Sequence, residues 1–220
     1  MEITLVVVAD RAEERELEAR FGAAAATIAA SLLQDTVAVA RAVDTARVEV
    51  YAEGAVQAFA LAGLAPVHRV RAPGAASTRR TTAEILGMAL EGGGPALLLS
   101  SGLPHLPAWR LRDAVTHLEH GADLVLGPAD RGGWYLLGMR SPHSQLLSLV
   151  AASREPTNAL VAAAQLSGQR LAILPPWFAV RTLEDLLELA ELLRPMPTHV
   201  AANTRALGAA GFGRARALGG

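Results

Sequence analysis

ADLVLGPADRGGWYLLGM, residues 122–139, joins two apolar segments through a Gly-Pro turn and the pair Gly132-Gly133. The valine and leucine residues before the turn predict a buried strand at 124–126, and the residues after it predict a second strand at 134–139. Upstream, LLLSSGLPHLP at residues 97–107 predicts another strand that ends in a polar loop. Since ligands of α/β proteins bind beyond the carboxyl ends of strands, the two segments together predict a ligand crevice.

Strands alternate with helices along the chain. Residues 3–9 form a continuous apolar run typical of a strand buried on both faces, and residues 23–42 carry apolar side chains at helical spacing. This alternation predicts an α/β fold with a mostly parallel central sheet and helices on both faces. The further strands are predicted at 47–52, 67–71, 96–100 and 171–174, and the further helices at 55–62, 82–91, 107–120, 155–165 and 182–194. Residues 201–220 are rich in Ala, Gly and Arg and are expected to be loosely docked or disordered.

The composition excludes several classes of protein. The formal net charge of −1 gives no electrostatic reason to expect nucleic acid as a partner. The chain has no cysteine, which excludes a disulfide framework and a thiolate nucleophile. None of its 20 basic residues is a lysine, so Schiff-base chemistry is excluded and any cationic phosphate contact falls to arginine. The uncharged run at 22–34 is too short to span a bilayer, and no signal peptide is recognised, so we expect a cytoplasmic protein without membrane contact.

Four motifs carry a resemblance to a known family. They are AASLLQDT at 29–36, LLSSGLPHLP at 98–107, LGPADRGGWYLLG at 126–138 and FAVRTLEDL at 178–186. With these motifs the chain resembles the GT-A-type nucleotide-diphospho-sugar transferases, and among them a small bacterial group of glycosyltransferase-like proteins related to arsenosugar biosynthesis. The resemblance implies a single Rossmann-like GT-A domain, placed at residues 1–194, with a C-terminal tail at 195–220. It also implies a nucleoside-diphosphate sugar lying across the strand ends, with a divalent cation (Mg²⁺ or Mn²⁺) on its phosphates.

The sequence departs from the family pattern at four places. The loop after the first strand is net acidic where the family has a basic phosphate loop. An aspartate expected after the fourth strand is replaced by Gly102, and a second acidic position by His105. The acid before the Gly-Gly pair is replaced by Arg131, and the acids expected near the last strand fall on Ala179 and Arg181. We therefore expect that the metal ligands are lost and that Arg131 and Arg181 bind phosphate in place of the cation.

The resemblance and the crevice together predict the site residues. We expect Asp130 to act as general base or to anchor the acceptor hydroxyl, and Arg131 to stabilise the leaving diphosphate. The residues expected to bind the substrate or nucleotide are Ala9, Asp10, Ser100, Ser101, Gly102, His105, Gly132, Gly133, Trp134 and Arg181. Each also has a structural interpretation, since glycine pairs permit tight turns, serines end strands and strand tryptophans pack in cores.

Three functions stay open from the sequence. The first is a transferase of the nucleotide-sugar class whose activity is altered, independent of metal or lost. The second is a non-catalytic scaffold or regulatory pseudoenzyme, in which the alanine-rich helix at 23–42 packs against another protomer of a homo-oligomer. The third is a nucleotidyltransferase, because the same fold supports that chemistry. In each enzymatic case the expected partner is a nucleotide or a nucleotide sugar.

Overall fold

The computed structural model describes residues 2–9, 18–19, 21–44, 46–52, 69–71, 81–152 and 156–207. The strands are β1 (Ile3–Ala9), β2 (Ala46–Ala52), β3 (Arg69–Arg71), β4 (Ala96–Ser100), β5 (Leu124–Pro128), β6 (Trp134–Met139) and β7 (Leu171–Ile173). The helices are α1 (Ala25–Arg41), α2 (Thr82–Leu90), α3 (Ala108–Glu119), α4 (Ser144–Ala152), α5 (Pro156–Leu166), α6 (Leu183–Leu193) and α7 (Ala202–Leu207). None of the helices within these residues is long and apolar enough to cross a membrane.

The strands form one sheet in the order β3-β2-β1-β4-β6-β5-β7. β1 pairs in parallel with both β2 and β4 and is an interior strand of the sheet, as its continuous apolar sequence predicts. β6 is antiparallel to both β4 and β5, so its start lies beside the ends of those two strands. The expected α/β fold with a mostly parallel sheet is confirmed. One edge of the sheet thus collects the ends of β1, β4 and β5 together with the turn into β6.

Two apolar layers cover the faces of the sheet. One contains Leu5, Leu97 and Leu99 with residues of α1 and α3, and the other contains Val6 and Leu98 with residues of α2, α4 and α5. Neighbouring residues of a strand point to opposite faces, which is why β4 supplies leucines to both layers. The continuous apolar runs of the sequence follow from this burial on both sides.

Helix ends lie where capping residues predict them. Thr182 accepts a hydrogen bond from the backbone N–H of Asp185 at 3.1 Å, and the Asp185 carboxylate accepts one from the N–H of Thr182 at 2.9 Å. Thr81 and Glu84 make the same reciprocal pair at the start of α2. Such pairs satisfy N–H groups that the first helical turn leaves without partners. The helix predicted at 55–62 lies outside the described residues, and α4 was not predicted.

The expectation of a loose C-terminal segment from residue 201 is wrong for α7. The buried Asp35 carboxylate accepts hydrogen bonds from the backbone N–H and side-chain Nδ2 of Asn203, at 3.1 and 2.8 Å. It also accepts bonds from the backbone N–H and hydroxyl of Thr204, at 2.8 and 2.7 Å. A carboxylate at a helix N-terminus is favourable both for these bonds and for the helix dipole. Residues 208–220 lie outside the described residues, and the domain boundary at 194 stays a prediction.

α1 is covered within its own chain. Its buried residues include Ile28 and Leu32, which pack in one apolar cluster with Phe178 and with Leu186 and Leu189 of α6. The alanine-rich helix is therefore a core element of the protomer. The homo-oligomer predicted from this helix stays a prediction.

Candidate functional site

Three segments meet at the carboxyl edge of the sheet: the loop after β4, the β5–β6 turn and residues 177–181. The backbone N–H of Val180 donates to the carbonyl of Gly102 at 2.9 Å, which ties the third segment to the first. The N–H of Asp130 donates to the carbonyl of Trp177 at 3.2 Å, which ties it to the second. The predicted site residues Ser100, Ser101 and Gly102 lie on the first segment. Asp130, Arg131, Gly132 and Gly133 lie on the second, and Arg181 ends the third.

Gly102 lies against the backbone of Val180. A Cβ added at Gly102 would lie 2.1 Å from the Val180 carbonyl oxygen and 3.1 Å from its nitrogen. No real carbon approaches an oxygen so closely, so a side chain at this position requires the backbone to move. An aspartate, which the sequence resemblance implies at this position, therefore does not fit the observed packing, and glycine is required for a steric reason.

The loop after β4 is fixed by hydrogen bonds within the protein. The Ser100 hydroxyl accepts from the N–H of Gly102 at 3.3 Å, and the N–H of Ser101 donates to the carbonyl of Val8 at 3.0 Å. The hydroxyl of Thr36, on α1, lies 2.7 Å from the Ser101 carbonyl and accepts from the N–H of Leu103 at 3.1 Å. Thr36 belongs to one of the four motifs, but its role as a support for this loop was not predicted.

The β5–β6 turn depends on its glycines. Gly132 and Gly133 have φ values of +92° and +71°, a region that other residues rarely adopt. The N–H of Ala129 donates to the Gly133 carbonyl at 3.1 Å and closes the turn. Asp130 is exposed on this turn, which leaves its carboxylate accessible to a ligand. Trp134 is half-buried and packs on the apolar layer formed with α2, α4 and α5.

Both predicted phosphate-binding arginines contact protein groups. The Arg131 guanidinium pairs with the carboxylates of Asp185 and Glu188 on α6 and lies 5.5 Å from the centre of the Phe178 ring. Partial burial disfavours the charged guanidinium, but the two carboxylates outweigh it and raise the pKa of Arg131. Arg181 donates to the carbonyls of Gly132 and Trp134, both at 2.7 Å. Arg181 thus holds the β5–β6 turn in place. The Arg131 side chain, by contrast, remains 48% exposed to solvent.

His105 is buried rather than displayed in an open loop. It is 6% exposed and stacks on Trp177 with ring centres 5.5 Å apart, while Phe178 lies 5.7 Å away. Burial lowers the pKa of His105 from 6.5 to about 4, so its ring is neutral at pH 7. The sequence predicts that His105 lies in the loop after β4. It does not predict its aromatic partners, Trp177 and Phe178, because they lie in the segment after β7.

The remaining predicted residues are placed as follows. Ala9 is the buried last residue of β1 and pairs with Ala52 of β2. Asp10 lies outside the described residues. Within the described ranges, no group of three or more His, Asp or Glu side chains is arranged to hold a metal ion. The expected loss of the metal ligands and the ligand-binding assignments stay predictions.

Comparison with known proteins finds one matching family and several solved structures with a similar fold. A protein family described as an uncharacterized protein conserved in bacteria (DUF2064) matches residues 36–154. A candidate nucleotide-diphospho-sugar transferase from Desulfovibrio desulfuricans G20 has a TM-score of 0.74 and 21% identity, covering 95% of this chain and 96% of that one. No curated protein matches the sequence.

Two further solved structures are similar. A 4-diphosphocytidyl-2C-methyl-D-erythritol synthase from Anaerococcus prevotii DSM 20548 has a TM-score of 0.61 and 11% identity, over 88% of this chain and 96% of that one. Rv0371c from Mycobacterium tuberculosis H37Rv, in complex with manganese, has a TM-score of 0.56 and 15% identity, over 87% of this chain and 98% of that one. At such identities the likeness shows the fold alone. This likeness in fold agrees with the resemblance that the four sequence motifs indicate.

Proposed function

The chain belongs to the bacterial family DUF2064, and from that premise we propose that it binds a nucleotide or nucleotide sugar at the carboxyl edge of its sheet without a divalent cation at the end of β4. The close approach of Val180 to Gly102 carries this proposal. The sequence resemblance implies an aspartate at position 102, but the backbone of residues 177–181 fills the space that its side chain would need. A nucleotide held here depends on arginine and backbone N–H groups for its phosphates.

We propose that Asp130 and Arg131 supply the chemistry if the protein is a transferase. The exposed Asp130 carboxylate takes the proton of an acceptor hydroxyl as that oxygen attacks the anomeric carbon, and the bond from carbon to the diphosphate breaks. Arg131 stabilises the charge that develops on the leaving diphosphate. Attack of the acceptor oxygen on the α-phosphorus of a nucleoside triphosphate, with pyrophosphate as the leaving group, gives nucleotidyl transfer with the same two residues instead. In both reactions Arg131 must exchange its carboxylate partners on α6 for phosphate oxygens.

Calorimetric titration tests the binding proposal. The purified protein is titrated in EDTA with CDP, UDP, GDP and their sugar conjugates, and we expect saturable binding of at least one of them. Arg131→Met should weaken that binding, whereas Arg112→Met, a matched change of an exposed arginine on α3, should not. If no member of the panel binds in EDTA, the proposal is wrong, whether or not one of them binds when manganese is added.

A second candidate is a regulatory pseudoenzyme, and the contacts of the two arginines favour it. Arg131 and Arg181 are engaged by the protein itself, as expected of residues that stabilise a fold rather than a substrate. We propose separating the candidates by incubating the bound nucleotide sugar with the protein and measuring release of the nucleoside diphosphate. Turnover above the level of an Asp130→Asn variant supports the transferase. Nucleotide binding without turnover supports the regulatory function, and so does a partner that co-purifies with the full chain.

A further inference from the structure

Arg110 is a buried cation without an anionic partner in the described part of the chain. It lies in the first turn of α3 and is 9% exposed. Its Nη1 donates to the carbonyl of Pro175 at 3.2 Å, and its guanidinium carbon lies 4.9 Å from the ring centre of Trp109 and 4.8 Å from that of Trp177. The Tyr135 side chain also interacts with Arg110. These neutral groups compensate only part of the cost of removing a full charge from water. A guanidinium so buried is normally paired with a carboxylate or phosphate.

Unpaired nitrogen atoms are concentrated around the same arginine. Five buried side-chain nitrogens have no hydrogen-bond partner in the described residues, and three of them are Arg110 Nε, His105 Nδ1 and Trp177 Nε1. Trp177 links the three side chains, since it stacks on His105 and lies beneath the Arg110 guanidinium. Arginine and tryptophan nitrogens only donate, and the neutral His105 ring can donate from Nδ1. Unpaired buried donors are uncommon in proteins, so three on side chains joined through Trp177 indicate a missing acceptor.

We propose that Arg110, His105 and Trp177 form an anion subsite for a carboxylate or phosphate group on the acceptor substrate. This inference rests on the proposed function, and it names the chemical class of the acceptor. Trp177 pairs with Ala129, the neighbour of Asp130, so the subsite lies next to the proposed base. A water molecule accepts two hydrogen bonds but brings no charge, whereas an anion satisfies several donors and neutralises Arg110.

Access to the anion subsite requires a side chain to move. The three unpaired nitrogens have almost no solvent-accessible surface, so an anion cannot reach them in this conformation. Trp109 contacts Arg110 and is 56% exposed, an unusual position for so large an apolar side chain. We assign Trp109 as the side chain that an entering anion displaces.

Indole N–H signals in nitrogen-15 NMR spectra provide a local readout. The chain has three tryptophans, and replacing each with phenylalanine in turn assigns the three signals. The full-length protein is titrated at pH 7.5 with inorganic phosphate in one arm and acetate in the other, against sodium chloride at equal ionic strength. We expect a saturable shift of the Trp177 signal, with Trp134 unchanged, and the arm that produces it identifies the group. No shift beyond that of chloride in either arm overturns the inference.

Variants test the role of the arginine. Arg110→Met should lower the affinity for the active anion by about tenfold or more, because it removes a charge-assisted contact. Arg112→Met, on the same helix, should leave it unchanged. If Arg110→Met does not fold, the titration of the unmodified protein still decides. A nucleotide added to the same sample separates this inference from the proposed function. Nucleotide binding without an indole response to either anion refutes the anion subsite alone, whereas failure of nucleotide binding refutes the proposed function.

Discussion

Gly102→Ala should destabilise the protein strongly, although it adds one methyl group. The new Cβ would lie 2.1 Å from the carbonyl oxygen of Val180, which belongs to a backbone that cannot rotate away as a side chain can. Relieving the overlap costs about 1–3 kcal/mol, as other insertions into packed interiors do. The backbone hydrogen bond from Val180 to Gly102 is then strained or lost, at about 1 kcal/mol. Together these effects predict a loss of about 2–4 kcal/mol.

Urea denaturation followed by circular dichroism measures this loss. Gly87→Ala is the matched control, because a Cβ added at Gly87 on α2 meets nothing within 4 Å. Alanine favours helices, so the control should keep or raise stability by up to about 1 kcal/mol. Equal unfolding midpoints for the two variants would refute the steric reasoning. The segment containing Val180 would then not close the end of β4.

Three further perturbations test other contacts. Asp35→Ala removes the carboxylate that receives four hydrogen bonds from α7, and it should lower the unfolding free energy by about 2–4 kcal/mol and expose the C-terminal segment to limited proteolysis. The pKa of His105 is about 4 in the folded protein and 6.5 in the unfolded chain. Between pH 6.5 and pH 4 the unfolded chain is therefore protonated at His105 while the folded protein is not, so stability falls as the pH is lowered through this range. The protein should lose about 2 kcal/mol through His105 between pH 7 and pH 5, and His105→Gln should remove that loss from the pH profile of stability. Arg181→Met removes two hydrogen bonds to carbonyls of the β5–β6 turn; it should cost about 1–2 kcal/mol and speed amide exchange in the turn.

Each of these predictions has a control of the same residue type. Asp44→Ala and His120→Gln replace exposed side chains and should have little effect on stability. Arg194→Met removes an exposed pairing with Glu191, which should contribute little. If a control loses as much stability as its partner variant, the contact assigned to that partner is not the cause of the loss.

Local patterns predicted most of the fold. β4 and β6 lie where uninterrupted apolar runs place them, and α6 begins at the Thr182 cap that its spacing to Asp185 indicates. These features depend on residues close together in sequence, which is why periodicity and capping rules find them. α7 escaped prediction because its N-terminus is held by Asp35, more than 160 residues earlier. No local pattern reveals such a partner.

The candidate site was predicted in outline but not in its contacts. The sequence indicated that the ends of β4 and β5 meet, and the structure does bring their loops together with residues 177–181. Arg181 was expected to face a phosphate, whereas it binds two backbone carbonyls. Arg110 and Trp177 were missed because an arginine in a helix and a tryptophan after two prolines look ordinary until packing buries them together.

The affinity for a nucleoside diphosphate, measured with and without manganese, tests most directly whether the protein binds nucleotides without a divalent cation. The ratio of the two dissociation constants is measured by calorimetry on the full-length protein, with EDTA in one titration and manganese chloride in the other. A cleft that uses arginine and backbone groups in place of a cation predicts a ratio near one. Binding at least about tenfold tighter in manganese, equivalent to about 1.4 kcal/mol, would contradict it, because a cation would then be held by the protein and the nucleotide together.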